Sequence, residues 1–470
     1  MGISLAVSLC VVLTFTAPLL RLAGSFAFWP RTIEPRKEPA SQPAHDGWFW
    51  TWFGGAVARR PGVLWIAAAL LLTPFAIGGY WYRDDVDYDF VRRLPPESAS
   101  SIGTRALQRD FSNGAVGGIT MLIDSPQLDF SVEDGKGQIE LAVLTHWLAK
   151  EQTSLGLADV RGWDKPLGTG WVARQATGAS LDEIKRGKQQ ALQYYISQHG
   201  KLKGHVTRLE LTMLHNPMSR QGMETLDRLQ QAIQSELYGD LRNAKIYYLG
   251  ITADMRDLRH VTGNDQTFIQ ILVVGCVLVI LLFLLRQAVV SIYLIASVLF
   301  SYFAALGAAM LFFWWLDPES FVGLDWKTPL FLFTILVAIG EDYNIFLMTR
   351  VSEEQARHGL LAGIRVAVVK TGGIITSCGI IMAGTFASLG FGTMQDLHHL
   401  GFALAFGVLV DTFLVRPILV PTFLIFLARI TTAWQIVSSF PEGGERLREM
   451  IQQKMEAPQS DAAPEKAETE

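Results

Sequence analysis

The feature that most constrains this chain is an apolar run that holds two carboxylates. Phe331–Arg350, FLFTILVAIGEDYNIFLMTR, has the length and apolarity of a membrane helix, yet Glu341 and Asp342 lie well inside it. An ionisable side chain at the centre of a span costs at least ~2.5–3.5 kcal/mol on insertion scales, so its presence marks a functional position by default. Burial and a nearby cation act in opposite directions on a carboxyl group's affinity for its proton. A group balanced between them can load a proton on one side of a membrane and release it on the other. The alternative is a structural carboxylate satisfied by a neighbouring helix. Successive helix positions differ by about 100°, so Glu341 and Asp342 cannot share one direction. Asp342 is the primary candidate for a proton site and Glu341 the secondary one.

Half of the 470 residues are apolar and 18% are charged, but the two kinds are segregated. Long apolar runs lie at both ends with a polar block between them, the pattern of an α-helical polytopic membrane protein with one sizeable α+β domain outside the membrane. The net charge of −4 gives no pointer to nucleic acid. Cys10, Cys276 and Cys378 lie far apart in apolar runs and suggest neither a disulfide framework nor a metal site. The first twenty residues lack a basic n-region and an A-x-A-like site, so they do not read as a cleaved signal peptide. No cofactor motif, metal-ligand spacing or Ser/His/Asp arrangement is present, and the chain is not expected to be an enzyme.

The expected organisation is a first span at 1–22, a cytoplasmic linker at 23–60, a second span at 61–82, an external domain at 83–265, a five-span block at 266–428 and a cytoplasmic tail at 429–470. That gives about seven spans. Within the linker, Trp29–Pro30 reads as an interfacial anchor and His45–Phe53, rich in tryptophan, as a segment lying along the membrane surface. In the polar block, 118–124, 206–214 and 244–252 read as strands, and 139–152, 181–198 and 219–238 as helices. The order suggests a split βαβ domain. Lys and Arg concentrate in the linker, at Arg286, around Arg350, Arg357 and Arg365, and at Arg429. The positive-inside rule therefore puts the polar domain outside and the carboxyl terminus in the cytoplasm. Val7–Gly24 and Val410–Arg429 resemble each other, each with a proline about two turns before a basic exit.

Several polar groups share one depth. Asp342 lies ~21 Å and Asp411 ~18 Å below the outer ends of their spans at helical rise. Thr376, Ser377 and Ser301 fall at a similar level. Polar side chains in lipid must face each other or water, so this layer reads as a relay, with helix packing or bonding back to the preceding turn as the plain alternative for Thr376 and Ser377. Tyr343 is placed to hydrogen-bond a carboxylate on an adjacent helix. Arg416 is placed to neutralise Asp411, and a purely structural pair is the alternative there.

Three stretches, IGEDYNIFLMTRVSEEQ at 339–355, TGGIITSCGIIMAGTFASL at 371–389 and LGFALAFGVLVDTFLVRPILVPTF at 400–423, resemble the MMPL branch of the resistance–nodulation–division superfamily. The resemblance implies proton-motive-force-driven export of lipids or other hydrophobic molecules across a bacterial inner membrane. It also implies twelve spans in two repeats, each with a porter-like external domain. By position, Asp342 and Tyr343 match the family's Asp-Tyr pair and Asp411 its last-span aspartate. On this resemblance the chain is expected to correspond to the carboxyl-terminal half alone, beginning in the last span of a first repeat. The implied partners are therefore a separate first-half chain, a second copy or the rest of a longer protein, together with membrane lipids and a hydrophobic substrate. Two other readings stay open: a non-transporting accessory or lipid-sensing subunit, and an intramembrane aspartyl protease using Asp342 and Asp411. The second lacks a Gly-x-Gly-Asp setting at either aspartate.

Overall fold

The computed structural model describes residues 2–24, 26, 48–111, 113–169 and 181–438. The Trp29–Pro30 anchor, most of the linker and the tail beyond residue 438 lie outside the described residues. The amino-terminal span runs through α1 (Gly2–Val11), a π-helical turn (Val12–Thr16) and α2 (Ala17–Ala23), which carries Pro18 in its first turn. The rest of the description concerns the unit that begins at Trp48.

Two helices open this unit, α3 (Trp48–Arg59) and α4 (Pro61–Trp81). Pro61 separates them, because proline fits the first position of a helix, where its missing N–H is not needed. Then come β1 (Val86–Asp87) and α5 (Ala99–Asp110). The Ser101 backbone N–H donates to the Ser98 hydroxyl (3.3 Å), which caps α5.

The α+β domain follows in the order β2 (Ile119–Asp124), α6 (Lys136–Lys150), β3 (Leu157–Arg161), α7 (Leu181–Tyr195), β4 (Val206–Met213), α8 (Arg220–Glu236) and β5 (Lys245–Leu249). The sheet order is β3-β4-β2-β5 and each adjacent pair is antiparallel. It follows that β2 and β3 are parallel with β4 between them, and β4 and β5 are parallel with β2 between them. These are two interlocked split βαβ units, with α6 and α8 as the crossovers. The period of two along β2 and β4 sends Ile119, Met121, Ile123, Leu209, Leu211 and Met213 to one face, where each is fully buried. Leu141, Leu144 and Leu148 of α6 and Leu226, Leu229 and Ile233 of α8 close the core from above.

From the sheet the chain enters α9 (Ile251–Leu285), an unbroken helix of 35 residues. Its first turns pack in the core of the α+β domain through Ala253, and its far end enters the core of the helix bundle through Leu281. The bundle continues with α10 (Ala288–Leu316), the short strand β6 (Leu324–Asp325), α11 (Lys327–His358), α12 (Leu360–Ala387) and α13 (Gln395–Val410). A π-helical segment, Asp411–Leu419, then leads into α14 (Val420–Ser438). Among the described residues seven helices are long and apolar enough to cross a membrane: Ala6–Ala23, Pro61–Trp81, Ile251–Leu285, Ala288–Leu316, Lys327–His358, Leu360–Phe391 and Gln395–Ile430. The chain is therefore a multi-pass membrane protein.

Small residues set the helix spacing. A Cβ on Gly79 of α4 would come within 2.8 Å of the Gly307 nitrogen of α10, and one on Gly307 within 2.6 Å of the Gly79 nitrogen. The two backbones touch there, the close approach that small residues permit in membranes.

Helix α3 packs on the bundle through one face, while Phe49 and Trp52 stay exposed. It lies along α12, with Trp50 over Gly372 and Gly54 against Val369 and Arg365. Its carboxyl end meets α14, where Arg429 donates to the Ala58 carbonyl (3.3 Å). Gly372 and Gly373 leave room for the Trp50 indole.

A buried ionic knot ties the segment between α4 and α5 to the bundle. β1 pairs in parallel with β6, Val86 opposite Leu324. Arg93, 3% exposed, reaches the carboxylates of Asp87, Asp325 and Asp396 (3.4 Å to Asp87 and 3.2 Å to Asp396) and the Asp87 carbonyl. Lys327 approaches Asp325 at 3.8 Å and Asp396 at 3.5 Å. Tyr88 stacks on Trp326 with centroids 6.0 Å apart and planes 8° from parallel. Burial pushes the Asp87 carboxyl above its ordinary 3.8, against the pull of Arg93.

Candidate functional site

The two carboxylates of α11 part company as helical geometry requires. Glu341 is buried and Asp342 is exposed. Asp342 falls in a stripe with Ala338 and Phe346, spaced by four residues, all on the outer face of the bundle. Glu341 shares the inner face with Asn344, whose amide donates to the Glu341 carboxylate at 3.4 Å. The other Glu341 oxygen has no hydrogen-bond partner among the described residues. A small cavity of about 10 Å³ adjoins Glu341 and is otherwise lined by aliphatic residues of α9, α10 and α11.

In the last span Asp411 and Arg416 form an ion pair, their side chains 6% and 1% exposed. Five residues of a regular α-helix turn through 500°, which would leave the two side chains about 140° apart. The π-helical winding of Asp411–Leu419, which contains Pro417, is wider and brings positions i and i+5 onto one side. Single π turns inside α-helices are frequent at functional sites. Arg416 also donates to the Ile339 and Gly340 carbonyls of α11, both at 3.3 Å. Its guanidinium carbon sits 4.2 Å from the centroid of the Tyr343 ring, a cation–π contact. Arg416 Nε and Nη1 and Asp411 Oδ1 have no hydrogen-bond partner among the described residues.

The candidates read from the sequence thus fall into three places. Glu341, Asp411, Arg416 and the half-buried Tyr343 belong to one interior cluster. Tyr343 does not bond a carboxylate. Its hydroxyl is directed at the Met382 sulfur (3.4 Å), and its ring serves Arg416. Thr376 borders the cluster with a buried hydroxyl that has no partner among the described residues. Ser377, one position on, is exposed and donates to the Gly373 carbonyl of its own helix at 2.6 Å, so it stands apart from the layer. Asp342 stands apart too, on the outer face. A protease dyad needs two carboxylates sharing one proton. Here one aspartate is exposed and the other is ion-paired inside, and the structure does not bring them together.

Two residues were not singled out in the sequence. Asn344 follows Glu341 by three positions on the same face, a spacing that sequence alone offers. Trp50 lies far away in the chain, and only the fold brings it beside Gly372.

Comparison with known proteins agrees with the motifs. The model of the MMPL family matches residues 179–442, more than half of the chain. The apo-petrobactin exporter of Bacillus anthracis is 29% identical over 422 residues, covering 86% of this chain and 49% of that protein. The sulfolipid-1 exporter MmpL8 of Mycobacterium tuberculosis is 33% identical over 276 residues, covering 58% of this chain and 24% of that protein. The crystal structure of a heavy metal efflux pump superposes with a TM-score of 0.44 at 14% identity, covering 86% of this chain and 51% of the pump. The chain spans about half the length of the curated relatives that match most of it. It belongs to the MMPL family.

Proposed function

We propose that this chain forms one half of a proton-motive-force-driven exporter of a lipid or other hydrophobic molecule. In this reading the α+β domain is the porter, on the outer side of a bacterial inner membrane, and the carboxyl terminus is cytoplasmic. The observation that carries the reading is Asp342. It is exposed on the outer face of an apolar helix, where contact with lipid tails would cost at least ~2.5–3.5 kcal/mol. A second polar surface, from another half of the transporter or from a second copy, removes that cost and puts Asp342 in a protein-lined path.

The interior cluster on the other side of α11 gives the proton a reason to matter. Changing the charge of Asp342 alters the field at Glu341, Asp411 and Arg416, whose donors already hold the α11 backbone. One proton crossing 100 mV releases about 2.3 kcal/mol, which is enough to shift a two-state arrangement of helices substantially. Where the α+β domain meets the bundle there is a cavity of about 770 Å³. Arg92, Arg105 and Asn216 line its domain side, and Phe313, Leu316 and Phe321 its bundle side. Asp317, His398 and His399 line the bundle side as well, and a wall of mixed polar and apolar groups suits an amphiphile leaving the bilayer. Export by the two named relatives, one of a petrobactin and one of a sulfolipid, supports the direction of transport and the chemical range.

The test is reconstitution in liposomes together with the complementary half, with an imposed proton gradient and a fluorescent lipid as cargo. Asp342→Asn is expected to lower gradient-driven movement at least tenfold while leaving assembly intact. Undiminished transport by that variant removes Asp342 from the mechanism.

A further inference from the structure

Three of the apolar spans have an end marked by an arginine. Arg60 immediately precedes α4, Arg365 lies in the second turn of α12, and Arg429 is the last but one residue of the Gln395–Ile430 span. Helix α3 brings these ends together. A Cβ at Gly54 would fall 3.7 Å from Arg365 Cγ, and one at Gly55 3.7 Å from Arg365 Nη2. Arg429 Nη2 donates to the Ala58 carbonyl at 3.3 Å. Ala58 and Arg59 follow Gly55 by three and four positions, so the three share one face of α3. Guanidiniums from α12 and α14 thus converge on the end of α3 that carries Arg59 and Arg60.

All four arginines are exposed, and none is in an ion pair with another described residue. By contrast, Arg350 of α11 and Lys370 of α12 both reach the fully buried Glu354, at 2.5 and 2.8 Å. Like charges gathered without a counter-charge repel one another, and an anion placed among them removes that repulsion. Further along α12 the surface changes. Trp50 sits on Gly372, about 18 Å past the start of α12 at helical rise, whereas Arg365 is about 8 Å past it. From the arginines, α3 therefore leads back along an apolar span, and there Phe49 and Trp52 are 47% and 62% exposed. A cationic foot below an apolar, aromatic flank matches one ligand chemistry, a phosphate head carrying hydrocarbon chains. A free phosphate would use the foot and leave the flank bare.

We propose that Arg59, Arg60, Arg365 and Arg429 bind the phosphate of an anionic phospholipid, whose chains lie along Phe49 and Trp52. The lipid ties α3 to α12 and α14. In the orientation proposed above it belongs to the cytoplasmic leaflet, but the chemistry of the site does not depend on that orientation.

The experiment uses the full chain, delipidated in a neutral detergent and titrated with phosphatidylglycerol, with phosphatidylcholine and with soluble glycerol phosphate. Binding is followed by native mass spectrometry. Phosphatidylglycerol is expected to bind saturably and at least tenfold more tightly than either of the others. Each arginine near an anionic surface is worth about a fivefold gain in affinity. The double variant Arg365→Gln with Arg429→Gln is therefore expected to bind phosphatidylglycerol at least tenfold more weakly, and Arg357→Gln, an exposed arginine away from α3, to bind it as the parent does. If the double variant does not accumulate as folded protein, Arg59→Gln with Arg60→Gln decides in its place. Equal affinity in parent and double variant overturns the proposal. So does equal affinity for phosphatidylglycerol and glycerol phosphate, which would make the arginines a site for a free anion only. A parent that binds no phosphatidylglycerol, as when the acidic carboxyl-terminal tail already covers the arginines, overturns it too. No transport is measured, so the result stands apart from that of Asp342→Asn.

Discussion

Two buried arginines of this protein are surrounded in opposite ways. Arg93, where the α+β domain meets the bundle, is 4% exposed as a side chain and faces three carboxylates and a backbone carbonyl. Arg416, inside the last span, is 1% exposed and faces one carboxylate, two carbonyls at 3.3 Å and the face of Tyr343. Two of its nitrogens have no partner among the described residues. The first site has a surplus of acceptors and the second a surplus of donors. A cation held by several anions from different elements has no better arrangement to move to. A cation with unused donors gains from any new acceptor, whether water, a reoriented carboxylate or a hydroxyl. The first arrangement makes a fixed joint and the second a centre that can be switched.

The contrast can be broken most directly at the joint. Arg93→Met leaves Asp87, Asp325 and Asp396 facing one another with only Lys327 nearby, and removal of one partner of a buried ion cluster typically costs about 3–5 kcal/mol. Thermal unfolding in detergent is expected to show that loss, and a variant as stable as the parent would mean that the knot is not a joint. In the span, Arg416→Met is expected to destabilise by a similar amount, but Arg416→Met combined with Asp411→Leu should recover most of it. Replacing a whole buried pair by apolar groups is often neutral. No single second substitution can do the same for Arg93, because at least two acids would remain. Recovery of Arg93→Met by Asp325→Leu alone would erase the distinction. At the small end, Ser377→Ala should change stability by no more than about 0.5 kcal/mol and leave transport intact, since its exposed hydroxyl serves only its own helix.

Much of this was legible in the sequence, and the exceptions have physical causes. The long apolar runs announced the spans, and alternation, weak along 118–124 and clear along 206–214, announced β2 and β4, whose inward residues are fully buried. β3 escaped because LADVR is short, irregular in pattern and broken by a register shift between Leu157 and Asp159. Helix α5 escaped because its face is largely polar, although Ser98 is an ordinary cap. Trp50 sits on a glycine notch that only the fold forms, a contact that composition cannot announce. Depth along a span could be counted from residue numbers, which put Asp342, Asp411, Thr376 and Ser377 at one level. Direction around the helix could not, since it depends on which face the neighbours cover. That is why the sequence ranked Asp342 above Glu341 without indicating that one faces out and the other in. The π-helical segment was also beyond composition, although Pro417, at which the regular hydrogen-bond ladder must yield, was in plain view.

The length of α9 has a mechanical consequence. It spans about 52 Å at helical rise, and no break separates its footing in the sheet from its apolar end. The fifteen or so residues before the apolar stretch form a rigid arm of about 24 Å. Tilting the apolar end by ten degrees therefore swings the base of the sheet sideways by roughly 4 Å, more than the width of a water molecule. A rearrangement too small to notice among the spans is thereby magnified at the far end of the arm.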